Sequence, residues 1–186
     1  MAGRRRGFDA EAVLDQAMCA FWRAGFDATS VADLTKLTGV NPPSLYAAFG
    51  DKKALFAEVV ERYQRTYGAF TTRAIEEEPT ARAAVERILR EAAAEYTDPG
   101  HPRGCLVLSA PELGELRAAA IDVVEAKIRR DIAAGVLARD VDAHGLAVFV
   151  AVTVRGMSCL ARDGATREEL AHVARAAMSA WPAPVP

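Results

Sequence analysis

Gly39-Val40-Asn41-Pro42-Pro43-Ser44-Leu45-Tyr46-Ala47-Ala48-Phe49-Gly50-Asp51-Lys52-Lys53-Ala54-Leu55-Phe56 is the stretch that decides the fold. Asn41 stands where an N-cap is needed, and Pro42 follows at the first helical position, where a missing N–H costs nothing and φ is already set. A helix is therefore expected from Pro42 to Phe49, with Leu45 and Phe49 one turn apart on its inner edge. Just upstream, Ser30-Val31-Ala32-Asp33 has the form of a capping box, in which Ser30 accepts from a backbone N–H and Asp33 reaches back. The helix it starts is about two turns long, carries Val31, Leu34 and Leu37 as its apolar face, and stops at Gly39, a residue that takes the left-handed conformation without a steric cost. Two short capped helices joined by a glycine-containing turn form a helix-turn-helix, whose second helix can lie in a major groove.

Working outward, the second helix turns Asn41, Ser44, Tyr46 and Ala47 away from its apolar edge, short or phosphate-reaching groups of the kind that meet a duplex. Before the motif, Ala10, Val13, Leu14, Ala17, Met18 and Phe21 repeat at spacings of three and four, and this first helix holds the two short ones, neither of which is long enough to be stable alone. After it, Asp51 is placed to cap a long helix with Leu55, Phe56, Val59, Val60, Tyr63 and Tyr67 on one side, ending before Pro79. Lys52 sits at the start of that helix, where the N-terminus also attracts anions.

The segment from Phe8 to about Phe56 resembles the DNA-binding domain of the TetR/AcrR family of bacterial transcriptional regulators. The resemblance is carried by Phe21-Trp22-Arg23-Ala24-Gly25-Phe26 at the end of the first helix, Thr29-Ser30-Val31, and Ser44-Leu45-Tyr46 with Phe49, Lys52 and Leu55-Phe56. It implies an all-α fold, a three-helix head over residues 1–50 and a helical regulatory and dimerisation body over residues 51–186. It also implies DNA contacts from Thr29, Ser30, Asn41, Pro43, Ser44, Tyr46 and Ala47, with a phosphate contact from Lys52. Ala47-Ala48 departs from the pattern, since the family more often has a bulky aromatic or histidine there, which bears on individual base contacts and leaves the fold intact.

Composition agrees. The chain has 186 residues and a net charge of −2, so it is not globally basic. Residues 1–53 carry seven Lys/Arg against six Asp/Glu, while the remainder carries sixteen against nineteen. Arg4, Arg5 and Arg6 are the densest point of that excess and read as an arm able to meet phosphates or enter a minor groove. No apolar core of adequate length follows them, so they are not a signal peptide, and the longest largely apolar run, Leu146 to Val154, is short of a membrane span. A cytoplasmic protein with no membrane partner is the expectation.

Further helices are expected over about Ala81 to Tyr96, a short one from Cys105, Glu112 to Ala134, Asp142 to Arg162, and Thr166 to Ala180, divided by the 98–104 loop, Gly135 and Gly164. The helix holding Leu146 to Val154 is apolar nearly all round, so something must cover it. A homodimer through the last two helices would do so and would present two recognition helices to a pseudo-palindromic operator. Tyr63, Tyr67, Phe70, Tyr96 and Met157 are candidates for an apolar effector pocket, or else ordinary core residues.

Cys19, Cys105 and Cys159 lack any paired metal spacing, and neither a metal nor a cofactor is expected. Cys105 lies at a helix start near Arg103, where its thiol pKa could fall; Gly104-Cys105-Leu106 also resembles a TetR subgroup whose cysteine senses electrophiles or oxidants. A buried structural thiol is the alternative, and Cys19 and Cys159 are expected in the core. His101, His144 and His172 are scattered and no phosphate-binding loop or Gly-x-Ser-x-Gly is present, so a Cys105-dependent thiol enzyme has little support. A helical protein-interaction module would explain the amphipathic helices but leaves the polar second helix and the arginine arm unused. The sequence therefore points to a sequence-specific DNA-binding regulator, a repressor released by a small-molecule or thiol-reactive effector.

Overall fold

The computed structural model describes residues 8–185, and among them every regular element is helical. The chain divides into two compact units, Met1–Tyr67 and Gly68–Pro186.

In the first unit, Asp9 accepts from the N–H groups of Glu11 and Ala12 and so opens α1, Ala10–Ala24. Its apolar stripe, Val13, Ala17, Met18, Phe21 and Trp22, is buried against α4, Lys52–Arg65, which contributes Leu55, Phe56, Val59, Val60 and Tyr63. Aromatic edges lock the pair: Phe21 meets Phe56 with centroids 5.0 Å apart, and Trp22 meets Tyr63 at 4.9 Å. Such contacts add about 0.5–1.5 kcal/mol each beyond the area they bury. Arg62 fixes the register, donating from Nε to Asp15 Oδ1 at 2.6 Å and from Nη2 to Asp15 Oδ2 at 2.9 Å. Between these helices lie α2, Val31–Thr38, and α3, Pro42–Phe49, each anchored by side chains that are all but fully buried, Leu34 in α2 and Leu45 and Phe49 in α3.

The second unit contains α5 (Ala69–Glu77), α6 (Ala81–Glu95), α7 (Leu106–Ser109), α8 (Gly114–Ala133), α9 (Ala143–Arg162) and α10 (Arg167–Ser179). α6 is central, packing on α5, α8, α9 and α10. Two charged residues of α8, one turn apart, close the α5–α6 corner from inside. Lys127 Nζ donates to the carbonyls of Ile75 and Glu78 at 2.8 and 2.6 Å, and Asp131 Oδ2 accepts from Ala81 N–H at 2.7 Å. A cation thus meets the orphan carbonyls at the end of α5, and an anion meets an orphan N–H at the start of α6.

The structure alters several expectations. The long helix after Asp51 is two helices, because Thr66 leaves the helical region (φ −112°, ψ −95°) while its hydroxyl turns back onto the Arg62 carbonyl, and Gly68 follows before α5 begins. Leu37, assigned to the inner face of α2, is 48% exposed. Two turns spaced by three place Leu34 at the centre of the buried edge and leave Leu37 at its end. Cys159 is exposed and Cys19 half-buried. The helix expected from Glu112 begins at Gly114, after a 3₁₀ turn over Pro111–Leu113. Finally, α9 is long and apolar enough by length and composition to cross a bilayer, contrary to the expectation that no segment is, because Arg155 alone interrupts an apolar stretch that resumes with Met157, Cys159, Leu160 and Ala161; here it packs against α6, α8 and α10.

Candidate nucleic-acid interface

The turn between α2 and α3 follows from its capping chemistry. Ser30 Oγ accepts from Asp33 N–H and Asp33 Oδ2 accepts from Ser30 N–H, which closes the expected capping box. Ser30 Oγ also donates to Asp33 Oδ2, and this bond, followed by that from Ser30 N–H, holds the Asp33 carboxyl below its usual range. Gly39 ends α2 with φ +69°, and its N–H returns to the Thr35 carbonyl. Asn41 Oδ1 then accepts from Ser44 N–H at 2.9 Å, and Pro42 and Pro43 occupy the first positions of α3.

On α3, Leu45 and Phe49 face inward while Pro43, Tyr46 and Ala47 are exposed, with Tyr46 46% open to solvent. Positions 43, 46 and 47 are related by three and four residues, so they share one face. Ser44 flanks them, half-buried, and Asn41 is exposed at the cap. Asp51 caps α4 through Ala54 N–H, which sets Lys52 at the first helical position. Its Nζ lies 4.2 Å from the centroid of the Phe26 ring, a cation–π contact that restrains a side chain otherwise free to sweep. The Phe8 ring lies 6.3 Å from that of Phe49, so the chain enters the fold beside α3. Arg4, Arg5 and Arg6 lie outside the described residues.

Thr29 differs from the rest of the predicted contact set. It is 3% exposed and its hydroxyl donates to the Gly25 carbonyl at 2.8 Å, so it offers a duplex no open polar group. It secures the α1–α2 connection. Phe26, whose ring positions Lys52, was not singled out by the sequence as part of the site; only its apolar character in a turn beside a lysine-bearing helix start hinted at this.

The effector candidates divide between the units. Tyr63 and Tyr67 belong to the first, with centroids 4.9 and 5.4 Å from that of Trp22, and Tyr63 is core. In the second, Phe70 and Tyr96 meet edge to face at 6.2 Å, and Met157 is buried on α9. Burial pushes the Tyr96 phenol up, and the adjacent Cys105 side chain, which shares a hydrogen bond with it, adds to the effect. Cys105 is itself buried, at the N-cap of α7, and its N–H donates to Ser158 Oγ at 2.9 Å. Arg103, expected to act on that thiol, sends its guanidinium elsewhere: Nε donates to the Ala161 carbonyl at 2.7 Å and Nη2 to that of Ala165, at the end of α9. Among the described residues no cluster of three or more His, Cys, Asp or Glu side chains could hold a metal.

Comparison with known proteins agrees with this geometry. The family model for bacterial regulatory proteins of the tetR family matches residues 13–59, which span α1 to most of α4. Over nearly its whole length the chain is 32% identical to the HTH-type transcriptional repressor ComR of Escherichia coli K12, covering 97% of this chain and 92% of that protein. It is 33% identical to the HTH-type transcriptional repressor BdcR of the same organism, over 92% of this chain and 88% of that one. Among solved structures, a cysteine mutant of the TetR family regulator CifR bound to 26-bp double-strand operator DNA is similar with a TM-score of 0.90 and 39% identity, over 97% of this chain and all of that one. The chain belongs to the TetR family. It is a DNA-binding transcriptional regulator, and the family is one of regulators, not enzymes.

Proposed function

We propose that this regulator is a cytoplasmic repressor, acting as a homodimer on a pseudo-palindromic operator and released by a small-molecule or thiol-reactive effector. Residues 1–50 form the DNA-binding head and residues 51–186 the regulatory and dimerisation body. The observation that carries the reading is the outward face of α3, Pro43, Tyr46 and Ala47, bordered by Asn41 and Ser44 and followed by a lysine held at the start of α4. α3 meets base edges, Lys52 meets a phosphate, Ser30 sits at the start of α2 facing the backbone, and the Arg4–Arg6 arm adds salt-dependent affinity. The repressor names of ComR and BdcR support this direction of regulation, and the complex of CifR with operator DNA supports a duplex as the partner.

Dimerisation is supported by α9, which leaves Phe149, Val152 and Leu160 exposed, Val152 at 65%. An apolar face of this kind on a long helix calls for a partner, and a second copy with the last helices packed as a bundle supplies it. The effector reading keeps to the second unit, where Tyr96 is the common neighbour of Phe70 and Cys105, with Met157 one residue from the hydroxyl that holds Cys105. An effector that prefers one arrangement of the body lowers operator affinity by its differential binding to that state, no more.

The test is selection of duplexes from a random-sequence pool by the purified chain, followed by titration of the enriched duplex with N-ethylmaleimide or hydrogen peroxide. An inverted repeat bound by an even number of chains, released by the electrophile in the parent and retained by Cys105→Ser, is expected. Absence of any enriched sequence overturns the repressor assignment. Equal release of the Cys105→Ser protein removes the thiol from the mechanism.

A further inference from the structure

The side chains that α3 lacks bear on how it can read a duplex. From Pro42 to Phe49 it carries no acidic or basic side chain and no carboxamide. Direct readout in the major groove depends on matching chemistry: Arg or Lys pairs with guanine, Asn or Gln with adenine, an acidic group with cytosine, and an apolar group with the C5-methyl of thymine. α3 can make only the last of these from its own side chains, aside from the hydroxyls of Ser44 and Tyr46. The Asn41 amide sits at the cap, its oxygen already accepting from Ser44 N–H. What α3 turns outward is the ring of Pro43, the methyl of Ala47 and the phenol of Tyr46 between them. The small size of Pro43 and Ala47 also lets the helix axis approach the base edges closely, which a longer side chain would prevent.

We propose that Pro43 and Ala47 determine operator specificity by packing against thymine C5-methyl groups, so that each half-site is read by apolar contact while the charged groups around α3 supply only affinity. This rests on the assignment of α3 as the recognition helix. Because apolar contact releases no counterions, the preference for a methylated base should be constant with salt even as total affinity falls.

The test uses the duplex that the protein itself enriches from a random pool, resynthesised with deoxyuridine in place of each thymine in turn. Uracil keeps every hydrogen-bonding group of thymine and lacks only the methyl. At one or two thymines of each half-site, affinity should fall about fourfold per position, the equivalent of one buried methyl-sized group. Ala47→Gly should bind the thymine and uracil duplexes alike at one of those positions; any weakening of α3 by the glycine lowers both affinities together and leaves their ratio as the readout. Uracil duplexes that all bind as tightly as the parent overturn the proposal. Discrimination that survives unchanged in Ala47→Gly removes Ala47 from it. Failure to enrich any sequence overturns the DNA assignment itself, an outcome distinct from both.

Discussion

Gly104→Ala gives a perturbation whose size can be worked from two independent causes. Gly104 has φ +78°, where a Cβ costs about 1–2 kcal/mol. A Cβ there would also stand 2.8 Å from the Ser158 carbonyl oxygen, 3.0 Å from Ser158 Oγ and 2.8 Å from Arg162 Cγ. The arginine methylene can swing aside, but the Ser158 carbonyl belongs to the backbone of α9, one turn before its end, and cannot. Relieving that overlap must push the 98–104 loop off α9, at an overpacking cost of about 1–3 kcal/mol. The bonds from Gly104 N–H to the Tyr96 carbonyl, and from Cys105 N–H to Ser158 Oγ, are the first to lengthen. A total near 3 kcal/mol corresponds to a melting temperature lower by about 6–12 °C for a chain of this size. Gly135→Ala is the matched control: φ is +76°, yet nothing lies within 4 Å of its added Cβ. It should lose only the backbone part, about 3–6 °C. Both are read by thermal unfolding at equal protein concentration. If the two variants melt within about 1 °C of each other, the close approach of Gly104 to α9 contributes nothing and the reasoning fails.

Asp131→Ala should lower stability by about 1–3 kcal/mol, because the Ala81 N–H it caps is left without its partner inside the second unit, and Asp131→Asn, which keeps an acceptor, should lose less; equal losses in denaturant titration would show that the hydrogen bond is not the cause. Lys52→Ala should weaken binding to the enriched duplex without changing sequence preference, and should reduce the slope of log affinity against log salt by about 0.9 per copy. An unchanged slope by fluorescence anisotropy would remove Lys52 from the phosphate contacts. Phe26→Leu, which takes away the ring under the ammonium, should produce a smaller loss in the same assay, and no loss would show that the cation–π contact does not position Lys52.

The first unit was legible because its helix boundaries are written in local chemistry. Ser30 and Asp33, Asn41 with Pro42, and Asp51 each satisfy backbone groups within four residues of themselves, so no knowledge of the tertiary fold is needed to place them. The break between α4 and α5 was not legible for the converse reason. Tyr63, Tyr67, Phe70 and Ala74 keep a three-and-four spacing straight through Thr66 and Gly68, so the apolar pattern continues where the helix does not. Cys159 shows the same limit, since a small residue suits either face of a helix and only packing reveals that the 149, 152 and 159 edge points outward. In the site, outward residues followed from knowing which two were inward. The role of Phe26, beneath Lys52, depends on a contact between residues brought together by the packing of α1 and α4, which no spacing rule encodes, and Thr29, though its bond to Gly25 is local, is withdrawn from the duplex by a burial that only the fold sets.

The two buried charges of α8 have a mechanical implication. Lys127 grips the exit of one helix and Asp131 the entrance of the next from adjacent turns of a single rod. Tilting that rod drags both helix ends together, whereas swinging either helix alone breaks a bond to a buried charged side chain. The bend between α5 and α6 is thereby made a solid elbow, and any signal crossing the body must go around it or carry it along whole.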